Sequence, residues 1–156
     1  VVQNGMVSPG LLLLPGALGG LVLGLVMVFR PQSSPYLAPV YAVPRLLARN
    51  NLTLQDFDFY EIHEAFAAQV LCTLKAWEDE EFCKTKLGAD KALGSIDRSK
   101  LNVVGSSLAL GHPFAATGAR IVATAAKLLK EKGSGRALIS ICTAGGMGVV
   151  AILERP

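Results

Sequence analysis

The chain has 156 residues, 51% hydrophobic and 17% charged, which argues against a disordered or coiled-coil polypeptide and suits one domain or half of a larger protein. A formal charge of +3 calls for no nucleic-acid partner. Three cysteines without CxxC spacing and only two histidines argue against a disulfide scaffold and a metal centre, and favour a reducing compartment.

Charge is unevenly spread, since Arg30 is the only charged residue among the first 44. Leu11 to Phe29 is an uninterrupted apolar and glycine run of 19 residues, just long enough for a membrane span. Gly16, Gly20 and Gly24 have the spacing that lets helices approach closely, whereas Pro15 weakens a helix in water. No basic region precedes the run and no small-residue cleavage site follows it, so it is a poor secretory signal. It fits a membrane segment, a pair of buried strands joined at Pro15-Gly16, or a non-native leader on a truncated chain, and residues 1–35 are set apart as an apolar leader of unknown role. Arg30 to Pro35 reads as a linker.

From Arg45 onward the chain becomes conventionally globular. Val40 to Arg49 has helical spacing, with Pro44 near its start and Asn50-Asn51 ending it. Asp58 to Ile62 suits a short strand, and a helix follows from about Glu64 to Trp77 with Phe66, Val70, Leu74 and Trp77 on one face. Glu78 to Lys100 is polar and reads as a solvated excursion. Leu101 to Val104 is a strand candidate, and Gly105 to Gly118 is a glycine-punctuated loop. Ala119 to Lys132 forms a second amphipathic helix through Ile121, Val122, Ala125, Leu128 and Leu129, closed by Gly133. Ala137 to Cys142 and Val149 to Leu153 read as buried antiparallel strands around a Gly145-Gly146 turn. The order is that of an α/β fold.

Three segments hold most of the reactive side chains. His63-Glu64-Ala65-Phe66 lies where a strand hands over to a helix, a usual place for sites in α/β sheets. Its histidine fits a ligand-facing ring or a hydrogen-bonded structural one. Gly111-His112-Pro113 fixes the backbone on both sides of an imidazole, as a functional ring or an ordinary loop residue would have it. Cys142-Thr143-Ala144-Gly145-Gly146 joins a strand-end thiol to a turn rich in free amides, which suits an oxyanion site; a buried, inert cysteine is the bland alternative. Cys72, within an amphipathic helix, and Cys83, within the charged stretch, read as structural.

Taken in order, HEAF, GHPFAATGAR and CTAGGMG resemble the carboxyl-terminal half of a thiolase, with its [N/H]EAF, GHP and final CxGGG-type elements. The likeness runs from about Tyr36 to Glu154, and residues 36–156 are assigned to that domain. It implies a mixed five-stranded sheet covered by helices. Histidine in the first motif resembles the branch of the fatty-acid-oxidation trifunctional-complex β-subunit. The resemblance implies that His112 is the base activating a nucleophilic cysteine and that Cys142 moves the proton at the substrate α-carbon. It further implies that His63 donates to the thioester oxygen as the enolate forms, and that the backbone N–H of Ala144 serves a second oxyanion site. Ser106, Phe114 and Gly145 are the expected substrate contacts, and Glu64 is read as support. Coenzyme A enters as substrate and no bound cofactor is expected.

Two departures qualify the resemblance. None of Cys72, Cys83 or Cys142 lies in a motif matching the family's acylated nucleophile, and residues 1–35 do not look like the family's approach to this domain. The expected function is therefore the carboxyl-terminal part of an acyltransferase that cleaves 3-ketoacyl-CoA or runs the reverse condensation. It is expected to be inactive until an amino-terminal thiolase half completes it as a homodimer or larger assembly. The alternative is a non-catalytic acyl-CoA- or partner-binding module attached to a membrane through residues 11–29. The expected location is the cytoplasm of a bacterium or the mitochondrion of a eukaryote.

Overall fold

The computed structural model describes residues 37–143 and 146–156. The apolar run 11–29 and the turn positions Ala144 and Gly145 lie outside the described residues. Among the described residues no helix is long and apolar enough to cross a membrane.

Helix α1 spans Ala38–Asn50, with Pro39 in its first turn and Asn51 closing it in the left-handed conformation at φ 54°. Pro44 inside this helix has no N–H to offer the carbonyl four residues back. That carbonyl, Val40 O, instead accepts the indole N–H of Trp77 at 3.4 Å. Strand β1 (Phe59–Ile62) follows, then helix α2 (Ala67–Glu78), helix α3 (Thr117–Lys132), and the long strands β2 (Gly135–Thr143) and β3 (Met147–Arg155). Gly133 ends α3 at φ 103°.

The sheet order is β1-β2-β3, with β1 parallel and β3 antiparallel to the central β2. Alternation along the strands splits the core in two. Tyr60, Ile62 and Leu138 face α1 and α2, meeting Val40, Val43, Leu47, Leu74 and Trp77. Ala137 and Ile139 face the opposite way, onto Ile121, Ala125 and Leu129 of α3. Gly148 lets β3 pass close to α1, since a Cβ there would sit 3.1 Å from the Ala38 side chain.

Two expectations need correction. The described residues contribute three strands to the mixed sheet, and the Leu101 to Val104 candidate is not one of them. Leu101 to Val104 contributes only an isolated bridge between Leu101 and Tyr60, because Asn102 at φ 48° and Gly105 at φ 83° turn the chain away. The stretch from Glu78 to Lys100 is no simple solvated excursion. It makes a helical turn at Glu80–Phe82 and a wide turn at Cys83–Leu87. Phe82, Leu87, Leu93 and Ile96 pack onto the first core, and Cys83 is fully buried, while the charged side chains point outward.

Candidate active site

His63 follows directly on β1 and is pinned there, its backbone N–H donating to Ser140 O of β2 at 2.8 Å. The residue is 6% exposed, and its ring Nδ1 lies 2.7 Å from the Ser107 hydroxyl. Burial, helped by the charges of His112 and Arg120, lowers its pKa to about 4, so the imidazole is neutral near pH 7. Its ring meets that of His112 edge-on, with centroids 5.3 Å apart.

Gly111, at φ 78°, ends the single helical turn Ser107–Leu110 and presents the exposed His112. Cys142, near the end of β2, is 4% exposed, and burial pushes its thiol up to about 11. It therefore stays a thiol near neutrality, which makes it a poor nucleophile in that state. His63, His112, Cys142 and Phe114 all line one cavity of about 710 Å³.

Of the remaining sequence-predicted contacts, Ser106 does not line this cavity. It is 1% exposed, with its hydroxyl turned toward Ile62 O at 3.5 Å. The reason is its position just before the turn Ser107–Leu110, on the side facing β1. Ala144 and Gly145 lie outside the described residues. Cys72 and Cys83 take no part in the cavity lining.

Beneath the cavity lies a polar frame that the sequence pattern did not reveal. Asn102 Oδ1 accepts from Ile62 N–H and its Nδ2 donates to Ile62 O, both at 2.9 Å, so a side-chain amide stands in for a neighbouring strand. The same Nδ2 donates to Glu64 Oε1 at 2.8 Å, and Glu64 Oε2 accepts from Leu108 N–H at 3.1 Å. Arg120 of α3 reaches in with Nη2 and donates to the Ser107 hydroxyl at 2.8 Å. One signal for it existed: Arg120 is the only Asp, Glu, Lys or Arg between Lys100 and Lys127. Glu61 is fully buried, and neither of its carboxylate oxygens has a hydrogen-bond partner among the described residues. Burial raises it to about 7 against the pull of Arg120. Among the described residues no group of three or more His, Cys, Asp or Glu is arranged to hold a metal ion.

Comparisons with known proteins bear on the family and the fold. The family model "Thiolase, C-terminal domain" matches residues 22–155. The chain is 46% identical over 123 residues to a 3-ketoacyl-CoA thiolase of Pectobacterium atrosepticum, covering 79% of this chain and 28% of that protein. It is 48% identical over 118 residues to the 3-ketoacyl-CoA thiolase of Shewanella amazonensis, covering 76% of this chain and 27% of that one. The chain thus spans under a third of the length of the curated relatives it matches. Among solved structures, an acetyl-CoA acetyltransferase of Syntrophomonas wolfei superimposes with a TM-score of 0.64 at 32% identity, over 79% of this chain and 28% of that one. The peroxisomal 3-ketoacyl-CoA thiolase of Saccharomyces cerevisiae superimposes with a TM-score of 0.59 at 38% identity, over 78% of this chain and 30% of that one. The yeast enzyme is a five-layered α-β-α-β-α structure of two core domains of identical topology.

Proposed function

The chain belongs to the thiolase family through its C-terminal domain, and from that premise we propose that it supplies one half of an acyl-CoA acyltransferase site that cleaves 3-ketoacyl-CoA with CoA, or runs the reverse condensation. The observation that carries this reading is the convergence of His63, His112 and Cys142 on a single cavity. In cleavage, a cysteine thiolate attacks the 3-keto carbon and the bond to the α-carbon breaks. The electron pair passes to the thioester as an enolate, and the α-carbon then takes a proton. The acyl group leaves the cysteine when the thiol of CoA attacks it.

Each of these demands matches a group of this domain except the first. Neutral His63, in the cavity wall, donates toward the enolate oxygen. Cys142, held protonated by burial, gives its proton to the α-carbon. His112, exposed at the cavity, is free to face and activate a thiolate brought by a complementary half. The backbone amide of Ala144 joins as an oxyanion donor, and Phe114 offers an apolar contact to the acyl-CoA.

No cysteine among the described residues suits the nucleophile: Cys83 is fully buried and structural, Cys72 lies on α2 outside the cavity, and Cys142 is committed to proton transfer. The chain alone is therefore expected to show no turnover. The decisive assay is 3-ketoacyl-CoA thiolysis by the purified chain, alone and mixed with a thiolase amino-terminal half. Activity is expected only in the mixture, falling at least about 100-fold in His112→Ala and in Cys142→Ala. Turnover by the unmixed chain that depends on Cys142 would overturn the assignment of the nucleophile to a second half.

A further inference from the structure

The donors and acceptors around Ser107 decide which nitrogen of His63 carries its proton. Ser107 Oγ has two close partners, Arg120 Nη2 at 2.8 Å and His63 Nδ1 at 2.7 Å. A guanidinium only donates, so the hydroxyl oxygen is the acceptor in the first contact. Ser107 is 1% exposed, and among the described residues its hydroxyl hydrogen has no acceptor other than His63 Nδ1. Were Nδ1 protonated, two donors would crowd one oxygen and the hydroxyl hydrogen would be stranded in a buried site.

We propose that Ser107 is a positioning residue that, with Arg120 donating to its oxygen, hydrogen-bonds to His63 Nδ1 and so locks His63 as the Nε2–H tautomer facing the cavity. The consequence for chemistry rests on the acyltransferase reading above: Nε2–H is a donor aimed where an enolate oxygen would develop. The opposite tautomer would turn a lone pair toward that negative charge. The neutral state needed for a tautomer choice is already secured by burial, with the Arg120 guanidinium nearby opposing a second positive charge. Three elements fix the device in space. The end of β1 places the ring, the turn Ser107–Leu110 places the hydroxyl, and α3 places the guanidinium. The Glu64 carboxylate holds that turn to the segment after β1 through Leu108 N–H.

The test is nitrogen NMR of histidine-labelled chain, whose two histidines make assignment direct: His112→Ala removes one set of ring signals. His63 is expected to show a proton on Nε2 and an unprotonated, hydrogen-bonded Nδ1. In Ser107→Ala the two ring-nitrogen resonances should move toward each other, the averaged pattern of a tautomer mixture, and Ser107→Thr should restore the separation. Ser107→Cys keeps the volume and weakens the donor, so it should show the same displacement should the alanine variant not fold. A proton on Nδ1 in the unsubstituted chain overturns the proposal. So does a pattern that neither the alanine nor the cysteine variant disturbs. The readout does not depend on turnover, so loss of the acyltransferase reading with an intact Nε2–H signature leaves this assignment standing, and the reverse result removes it alone.

Discussion

Glu61 and His63 stand two residues apart on one side of the sheet, and burial moves their protons in opposite directions. Glu61 is raised from an ordinary 4.5 to about 7, so its contribution to stability is full below 4.5 and is lost as pH rises through 7. His63 is lowered from 6.5 to about 4, so its contribution is present above 6.5 and is lost as pH falls through 4. Between 4.5 and 6.5 the two slopes oppose each other. The chain should therefore show a shallow pH dependence of its urea midpoint in that window. Glu61→Gln removes the falling limb, and its stability should climb with pH by up to about 1.4 kcal/mol per unit. An identical profile for the variant and the parent chain would contradict the burial account. Neither shift was legible in the sequence. A glutamate before a histidine motif reads the same whether water or protein surrounds it, and desolvation is a property of the packed neighbours.

At the scale of elements, Asn102 shows how a strand signal was overruled. Leu101 to Val104 is apolar enough to pair along β1, yet Asn102 takes a left-handed φ and its amide, not its backbone ladder, completes Ile62. Three side-chain hydrogen bonds depend on it, two to Ile62 and one to Glu64. Asn102→Ala leaves buried partners unpaired and should cost about 2–4 kcal/mol in urea unfolding, at roughly 1 kcal/mol or more per bond. A loss under about 0.5 kcal/mol would show that the amide is dispensable. The helices were far more legible. Asn51 and Gly133 act on their own turns, so their positions marked the ends of α1 and α3 to within a few residues. The stretch from Glu78 to Lys100 was misread because its charges outnumber its apolar residues. Four of those apolar side chains nevertheless pack against the first core.

For the molecule as a whole, β2 ties two cores together, since Leu138 belongs to one and its neighbours Ala137 and Ile139 to the other. Loss of packing on the α3 side should therefore unfold the α1/α2 side as well. Ile121→Ala, at a fully buried position, should lower stability by about 2–5 kcal/mol. Fluorescence of Trp77, the sole tryptophan and on the opposite face, should report the same midpoint as far-UV circular dichroism. Separate midpoints for the two probes would mean that the cores unfold independently. The cavity wall also carries exposed apolar side chains, Phe114 at 97% and Val149 at 57%, which is in keeping with the complementary half proposed above.

Residue types in their order along the chain determined the helices, the strand pair at the end, and the three motifs that tie it to the thiolases. These signals are local: periodicity, caps and short spacings act within a few residues of one another. Only the tertiary structure decided that His63, Ser107 and Arg120 form one device, because its contacts join positions 44 and 13 residues apart. The parallel pairing of β1 with β2 requires a long crossover, and that crossover brings Ser107 back under His63. Burial then chose the protonation of Glu61, His63 and Cys142, since the cost of a charge depends on how much water the fold leaves around it.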